Sequence, residues 1–193
     1  MKQVTLIISA VSFFIFSSTA QQGGPVDQAA MEKAWQTYMT PGDVHKMLAK
    51  SDGEWTGDVS MWMAPGAPPE KSTATVINKM ILGGRYQQNT YTGKMMNMPF
   101  EGTGTVGYDN AKKMFVSTWV DNMGTGIIYM EGPWDDATKT VNMKGKQTDP
   151  LTGKETGIRE TFKIVDDNNQ VMEMFSTMNG SEFKTMEIKL KRK

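Results

Sequence analysis

Acid–base chemistry in this chain would fall first to His45, the only histidine among 193 residues. A Ser-His-Asp hydrolase also needs a nucleophile elbow, and no G-x-S-x-G occurs. A lone histidine cannot build a multi-histidine zinc site, and cysteine is absent. His45 therefore reads as a residue that fixes a short helix against its surroundings. The carboxylates offer more. Ile158, Glu160, Phe162 and Ile164 share one side of a strand-like run, which sets Glu160 among core residues. Val171, Glu173 and Phe175 do the same for Glu173, although Met172 and Met174 compete for the inward side. A buried carboxylate is unfavourable unless paired. Arg85 alternates with Gln87, Asn89 and Tyr91 on a run that is polar on both faces, as suits an edge or a wet lumen. The expectation is that Arg85 points inward and balances Glu160 or Glu173, an arrangement suited to a ligand with a polar head and an apolar body.

Trp55, Tyr108, Phe115 and Trp119 also fall at period two, as core or as pocket wall. Asp121 shares the Trp119 face but ends its run, so it reads as a turn cap rather than an acid or base. Methionine is abundant, 18 residues in all, and Met95, Met96 and Met98 cluster in one expected loop. Thioethers suit Cu(I), but methionine also fills gaps in cores, and no histidine or cysteine stands nearby. Gly102-Thr103-Gly104-Thr105-Val106-Gly107 superficially resembles a phosphate loop, yet it lies inside a strand with no helix after it, where glycines permit bending. No P-loop, Rossmann fingerprint, EF-hand loop or H-E-x-x-H occurs. No catalytic residue, metal ligand or cofactor is assigned. The candidate ligand-binding set is Arg85, Gln87, Trp55, Tyr108, Trp119, Glu160 and Glu173.

These residues must be held by strands. From Phe100 to Asp135, strand-like runs are separated by Tyr108-Asp109-Asn110-Ala111, Asp121-Asn122-Met123-Gly124 and Gly132-Pro133, spacing that demands antiparallel hairpins. The device repeats on both sides. Ten strands are expected, at 54–63, 71–82, 84–92, 100–108, 112–121, 125–131, 139–146, 156–165, 170–177 and 182–191, with an Asn179-Gly180 turn before the last and a Met-rich loop over 93–99. A sequential meander of this length closes to remove its edges, and ten strands leave more room inside than eight. A two-sheet sandwich is the alternative. Ahead of the strands, Ala30, Met31, Ala34, Trp35 and Tyr38 have helical spacing after Asp27, which reads as the N-cap, and Val44, Met47 and Leu48 line a second short helix. This preamble over residues 27–50 is expected to lie across one end of the β-domain, residues 51–193.

Residues 1–20 read as a secretory signal peptide: Lys2, an apolar run from Leu6 to Phe16, and Ser18-Thr19-Ala20 as the cleavage site. The run is too short to span a membrane, and a Gln/Gly/Pro leader over 21–26 follows it. The expectation is an exported protein, periplasmic or secreted, held by its core without disulfides. Removing residues 1–20 leaves 20 basic against 21 acidic residues, a formal charge of −1, which argues against nucleic acid as a partner.

A series of motifs then stands in order: His45-Lys46-Met47-Leu48, Gly53-Glu54-Trp55, Leu82-Gly83-Gly84-Arg85 and Met98-Pro99-Phe100-Glu101-Gly102-Thr103-Gly104. Gly107-Tyr108-Asp109, Trp119 to Gly126, Asp149-Pro150-Leu151-Thr152-Gly153-Lys154 and Gly180 to Ile188 continue it. Over about residues 40–193 this resembles the bacterial DUF1579 family, a family without an assigned function. The resemblance implies a lipocalin-like, calycin-type barrel and carries over no catalytic residue. The related nitrobindin barrels bind haem through a histidine, whereas the one histidine here lies in the preamble. The reading is an all-β protein, an antiparallel meander closed into a lipocalin- or nitrobindin-like barrel, binding a small apolar or amphiphilic molecule inside. An enzyme acting on an amphiphile in the same cavity, with Glu160, Glu173 or Asp121 as acid or base, and a filled barrel serving as a partner subunit are the alternatives.

Overall fold

The first and last strands of the meander are hydrogen-bonded to each other, and that pairing makes the sheet a barrel. In the computed structural model, which describes residues 27–178 and 180–193, β1 (Gly53–Met61) pairs antiparallel with β11 (Ser181–Arg192), setting Trp55 opposite Arg192 and Val59 opposite Ile188. The signal peptide and leader expected over 1–26, and Asn179 of the expected Asn179-Gly180 turn, lie outside the described residues. From β1 the order runs through β2 (Glu70–Ile81), β3 (Tyr86–Met95), β4 (Met98–Asp109), β5 (Met114–Asp121) and β6 (Ile128–Gly132). The ring continues through β8 (Thr140–Thr148), β9 (Glu155–Asp166) and β10 (Asn169–Met178) back to β11. Bonding between β6 and β8 completes a closed ten-stranded antiparallel barrel, so the sandwich alternative is set aside.

The extra piece, β7 (Trp134–Asp135), resumes the β6 ribbon along β8 after an interruption at Gly132-Pro133. Gly132-Pro133 is therefore a bend within one ribbon and not the turn expected from its composition. A side chain at Gly132 would place Cβ 1.7 Å from the Asn142 carbonyl oxygen, so only glycine allows this approach. The Met-rich stretch also differs from expectation. Met95 pairs directly with Met98, and the connection is only Met96-Asn97, both at positive φ (49° and 61°). That is the geometry of a tight hairpin turn whose twist matches the strands, built without glycine.

The preamble divides in two. Asp27 caps α1 (Gln28–Met39), accepting from the Ala29 and Ala30 N–H groups. No residue of α1 is buried; Trp35 and Tyr38 pack edge to face on each other and remain exposed. Asn110 Nδ2 holds its end by donating to the carbonyls of Thr37, Tyr38 and Thr40. Only α2 (Asp43–Ala49) covers a barrel end, setting Val44, Met47 and Leu48 on the cluster of Phe115, Met130, Val141, Met143 and Ile158.

A polar seam fixes that plug. Gln87, 3% exposed, donates from Nε2 to Leu48 O at 2.8 Å and Asp52 Oδ1 at 2.9 Å. Trp55 Nε1 donates to Ser51 O at 2.9 Å, and the Arg192 guanidinium stacks over the Trp55 ring while donating to Asp52 O and Lys50 O. A second apolar cluster joins Trp55, Val76 and Leu190 to Met172 and Ile188, which also line the cavity. α2 thus seals this end except for a side pocket of about 230 Å³ that Met47, Ile164 and Gln170 help to line. The strand ends Met61, Met95, Asp121 and Thr148 mark the opposite mouth.

Candidate functional site

Behind that mouth the barrel holds a cavity of about 450 Å³. Small residues leave room for it, Gly93, Gly104, Ala74, Ser72, Ser117 and Ser176 among its lining, between aromatic and aliphatic side chains. Seven methionines line it: Met61, Met63, Met95, Met130, Met172, Met174 and Met186, the last directly opposite Met61 in register.

The rigid feature is an aromatic wall. Trp119 on β5 lies edge to face with Tyr91 of β3 at 5.2 Å between ring centroids and stacks with Phe100 of β4 at 6.4 Å. Gly102 and Gly104 make room for the indole, since a Cβ on Gly102 would come within 2.3 Å of Trp119 Cζ2. The Gly102-Thr103-Gly104 motif is therefore the bed of a tryptophan, neither a phosphate loop nor merely a bend. Trp119 Nε1 donates to Asp121 Oδ2 at 2.7 Å, and Asp121 Oδ1 accepts from the Met123 N–H at 2.9 Å. Asp121 caps its turn, as its position suggests, and also fixes the indole.

Glu160 lies on the far wall. β3 and β9 are five strands apart in either direction round the ring, so Glu160 and Tyr91 face each other across the lumen. In register Glu160 stands between Met143 of β8 and Met174 of β10. No described residue hydrogen-bonds or ion-pairs with its carboxyl, and burial among apolar neighbours pushes its pKa up to about 7. Glu160 is half-buried and lines the lumen, so its carboxyl is reachable from the cavity. Burial, and then the Glu160 charge opposite, raise the Tyr91 hydroxyl above the ordinary tyrosine range.

Of the candidates from sequence, Trp119 and Glu160 meet at this cavity; the other five lie elsewhere. Arg85 does not point inward: the turn at Leu82, Gly83 and Gly84, all at positive φ, delays β3 until Tyr86, leaving Arg85 exposed with Nη1 on Leu82 O. It balances neither Glu160 nor Glu173. Glu173 faces outward, because Met172 and Met174 take the inward positions; it pairs with Lys184 at 2.5 Å and accepts from Thr161. Gln87 and Trp55 belong to the seam beneath α2. Tyr108 packs on Phe115 and His45 in the sealed half. His45, 6% exposed, accepts from the Gly42 N–H through Nδ1 at 3.0 Å, and burial lowers its pKa, so it fixes α2 as its position predicts. Tyr91, Phe100 and the mouth methionines escaped the candidate set. Tyr91 shares the parity of Gln87 and Asn89, and Phe100 that of Gly102 and Gly104, which was the available signal.

The family model for a protein of unknown function, DUF1579, matches residues 40–192. The chain belongs to the DUF1579 family. Among curated proteins none matches it. Of solved structures, Rv2717c from M. tuberculosis is similar to this DUF1579 chain with a TM-score of 0.61 at 13% identity, covering 80% of this chain and 99% of that one. At that identity the likeness concerns the barrel alone. No helix among the described residues is long and apolar enough to cross a membrane.

Proposed function

We propose that this DUF1579 barrel binds a small apolar or amphiphilic molecule in its lumen and acts by holding or carrying it, after export directed by residues 1–20. The observation that carries the reading is the cavity of about 450 Å³ behind an open mouth, within the size of small-molecule sites and mostly apolar in its walls. The sealed half supplies the rigidity such a site needs, and adaptable thioethers accommodate ligands of differing shape. Native mass spectrometry of protein purified from its own host tests it: a bound molecule of a few hundred daltons, released on unfolding, is expected. A clean ligand-free mass, together with no uptake of a neutral hydrophobic dye, would refute it.

One observation favours a second reading. A carboxyl held near pH 7 inside a cavity is poised to donate or accept a proton, as an enzyme acting on the same amphiphile would require. Conversion of the co-purified molecule by wild type but not by Glu160→Gln, with binding retained, would establish catalysis.

A further inference from the structure

We propose that the lumen selects an organic cation: an amine or quaternary ammonium on an apolar body, its charge seated between Glu160 and the Tyr91–Trp119 wall. This rests on the proposed carrier function and names its ligand class.

Three observations lead there. First, Glu160 is a carboxylate without a counter-charge. Its direct partners in register are apolar, Met143 on one side and Met174 on the other, and no basic side chain reaches it. An enclosed carboxylate without a partner is unfavourable, and a ligand cation supplies the partner that the chain does not. Second, the opposite wall is aromatic. A cation over tryptophan or tyrosine gains from the negative face of the ring, most of all where water is excluded. Tyr91 and Trp119 occupy that wall, and the latter is locked by Asp121 and bedded on Gly102. Third, the lumen disfavours anions. Lys94 is the only basic residue lining it among the described residues, and it is exposed at the mouth. A carboxylate or phosphate head reaching the depth of Glu160 would meet like charge and no donor cation.

A hard metal ion fits poorly. No group of three His, Cys, Asp or Glu side chains comes together among the described residues, and thioethers are unsuited to hard cations. An organic cation needs neither a ligand cluster nor dehydration of a small ion. It needs one carboxylate, aromatic contact and room for its apolar part, all present here.

Calorimetric titration with four ten-carbon probes tests the assignment: decylamine, decyltrimethylammonium, decanol and decanoate. At about pH 8 both cations should bind at least about tenfold more tightly than decanol, and decanoate more weakly than decanol. In Glu160→Gln, folded by circular dichroism, the preference for cations over decanol should shrink to within about threefold. A second readout separates Glu160 from ligand titration, because decyltrimethylammonium keeps its charge at every pH. Its affinity should rise up to about thirtyfold between about pH 5.5 and 8 as Glu160 ionises. The other titratable groups facing the lumen are Tyr91, Asp121 and Lys94. Tyr91, raised above its ordinary range, stays neutral throughout that window.

Equal binding of decanol and the cations by wild type, or a flat pH profile for the quaternary probe, would overturn the cation assignment while leaving the carrier function standing. Failure of all four probes to bind would refute both.

Discussion

Replacing Glu160 by glutamine should stabilise the protein at neutral and alkaline pH and leave it unchanged in acid. Burial raises the Glu160 carboxyl from its ordinary 4.5 to about 7. A raised carboxyl binds its proton more tightly in the folded chain than in the unfolded one. Folding is therefore unopposed by this group below about pH 4.5, and stability is lost as pH rises towards 7 and beyond. At about 1.4 kcal/mol per pKa unit, the loss reaches about 3 kcal/mol above pH 7. Water in the lumen screens the charge, which makes that figure an upper bound. Glutamine has nearly the same shape and no charge, so it removes the penalty.

For a domain of this size, 1 kcal/mol moves Tm by about 2–4 °C, so Glu160→Gln should melt about 4–10 °C higher at pH 8 and within about 1 °C of wild type at pH 4. The assay is thermal unfolding of both proteins across this range, after refolding from denaturant so that the lumen holds no passenger. Other titrations cancel in the difference. Glu131, Glu182 and Glu187, all lowered by ion-paired lysine or arginine partners, contribute stability that is lost in acid equally from both proteins. His45, lowered by burial, does the same as pH falls through the ordinary histidine range. A Tm difference that is flat with pH, or a variant less stable than wild type at pH 8, would refute the view of Glu160 as an unpaired, desolvated carboxyl.

Four further outcomes follow from the geometry. Gln87→Met strips donors from Leu48 O and Asp52 Oδ1 beneath α2 and should cost about 2–3 kcal/mol in urea unfolding, with decanol affinity unchanged because the seam lies on the sealed side of the packed layer. Arg85→Met, at an exposed turn residue, should change stability by less than about 0.5 kcal/mol and leave ligand uptake unaltered; a larger effect would restore an inward role for Arg85. Gly102→Ala places a methyl group against Trp119 Cζ2, so the indole must move into the lumen, with a shifted tryptophan emission and at least about tenfold weaker probe binding. Changing Met96-Asn97 to Asn-Gly suits the two positive φ values of that turn and should raise stability by about 0.5–1 kcal/mol.

The strand count and closure were legible because alternation and turn chemistry agree along nearly the whole chain. Ile158, Glu160, Phe162 and Ile164 follow one parity, and each faces the barrel interior. What parity does not contain is height along the barrel axis. Trp55 and Trp119 both point inward, yet one is sealed beneath α2 and the other walls the cavity, because the stagger between strands sets depth. Arg85 was misplaced for a local reason. Gly83-Gly84 marks a turn, but the positive φ at Leu82 starts it earlier and the bond from Arg85 N to Ile81 O ends it later. Met95 to Met98 reads as a loop because a two-residue turn normally advertises itself with glycine. Glu173 illustrates the remaining ambiguity: alternate residues Val171 and Phe175 are as apolar as Met172 and Met174, and only the packed barrel separates the faces.

The division of the interior explains why the cavity can be both adaptable and selective. In the sealed half, Phe115 and Val76 are wholly buried and the α2 plug is tied down by Gln87, Arg192 and Trp55. Around the cavity, seven methionines with three rotatable bonds each can reshape the apolar wall. Shape alone therefore discriminates weakly among apolar bodies. Selectivity must come from two other features: the indole held by Asp121 on its glycine bed, and the charge of the Glu160 carboxyl on β9. A carboxylate facing an aromatic wall discriminates by charge, so softening the methionine wall should broaden the accepted bodies without changing the accepted head. Substituting Met172 and Met174 by leucine tests this separation: cation preference should persist within about twofold while the preferred chain length narrows, and loss of the charge preference would show that the wall and the head site are not independent.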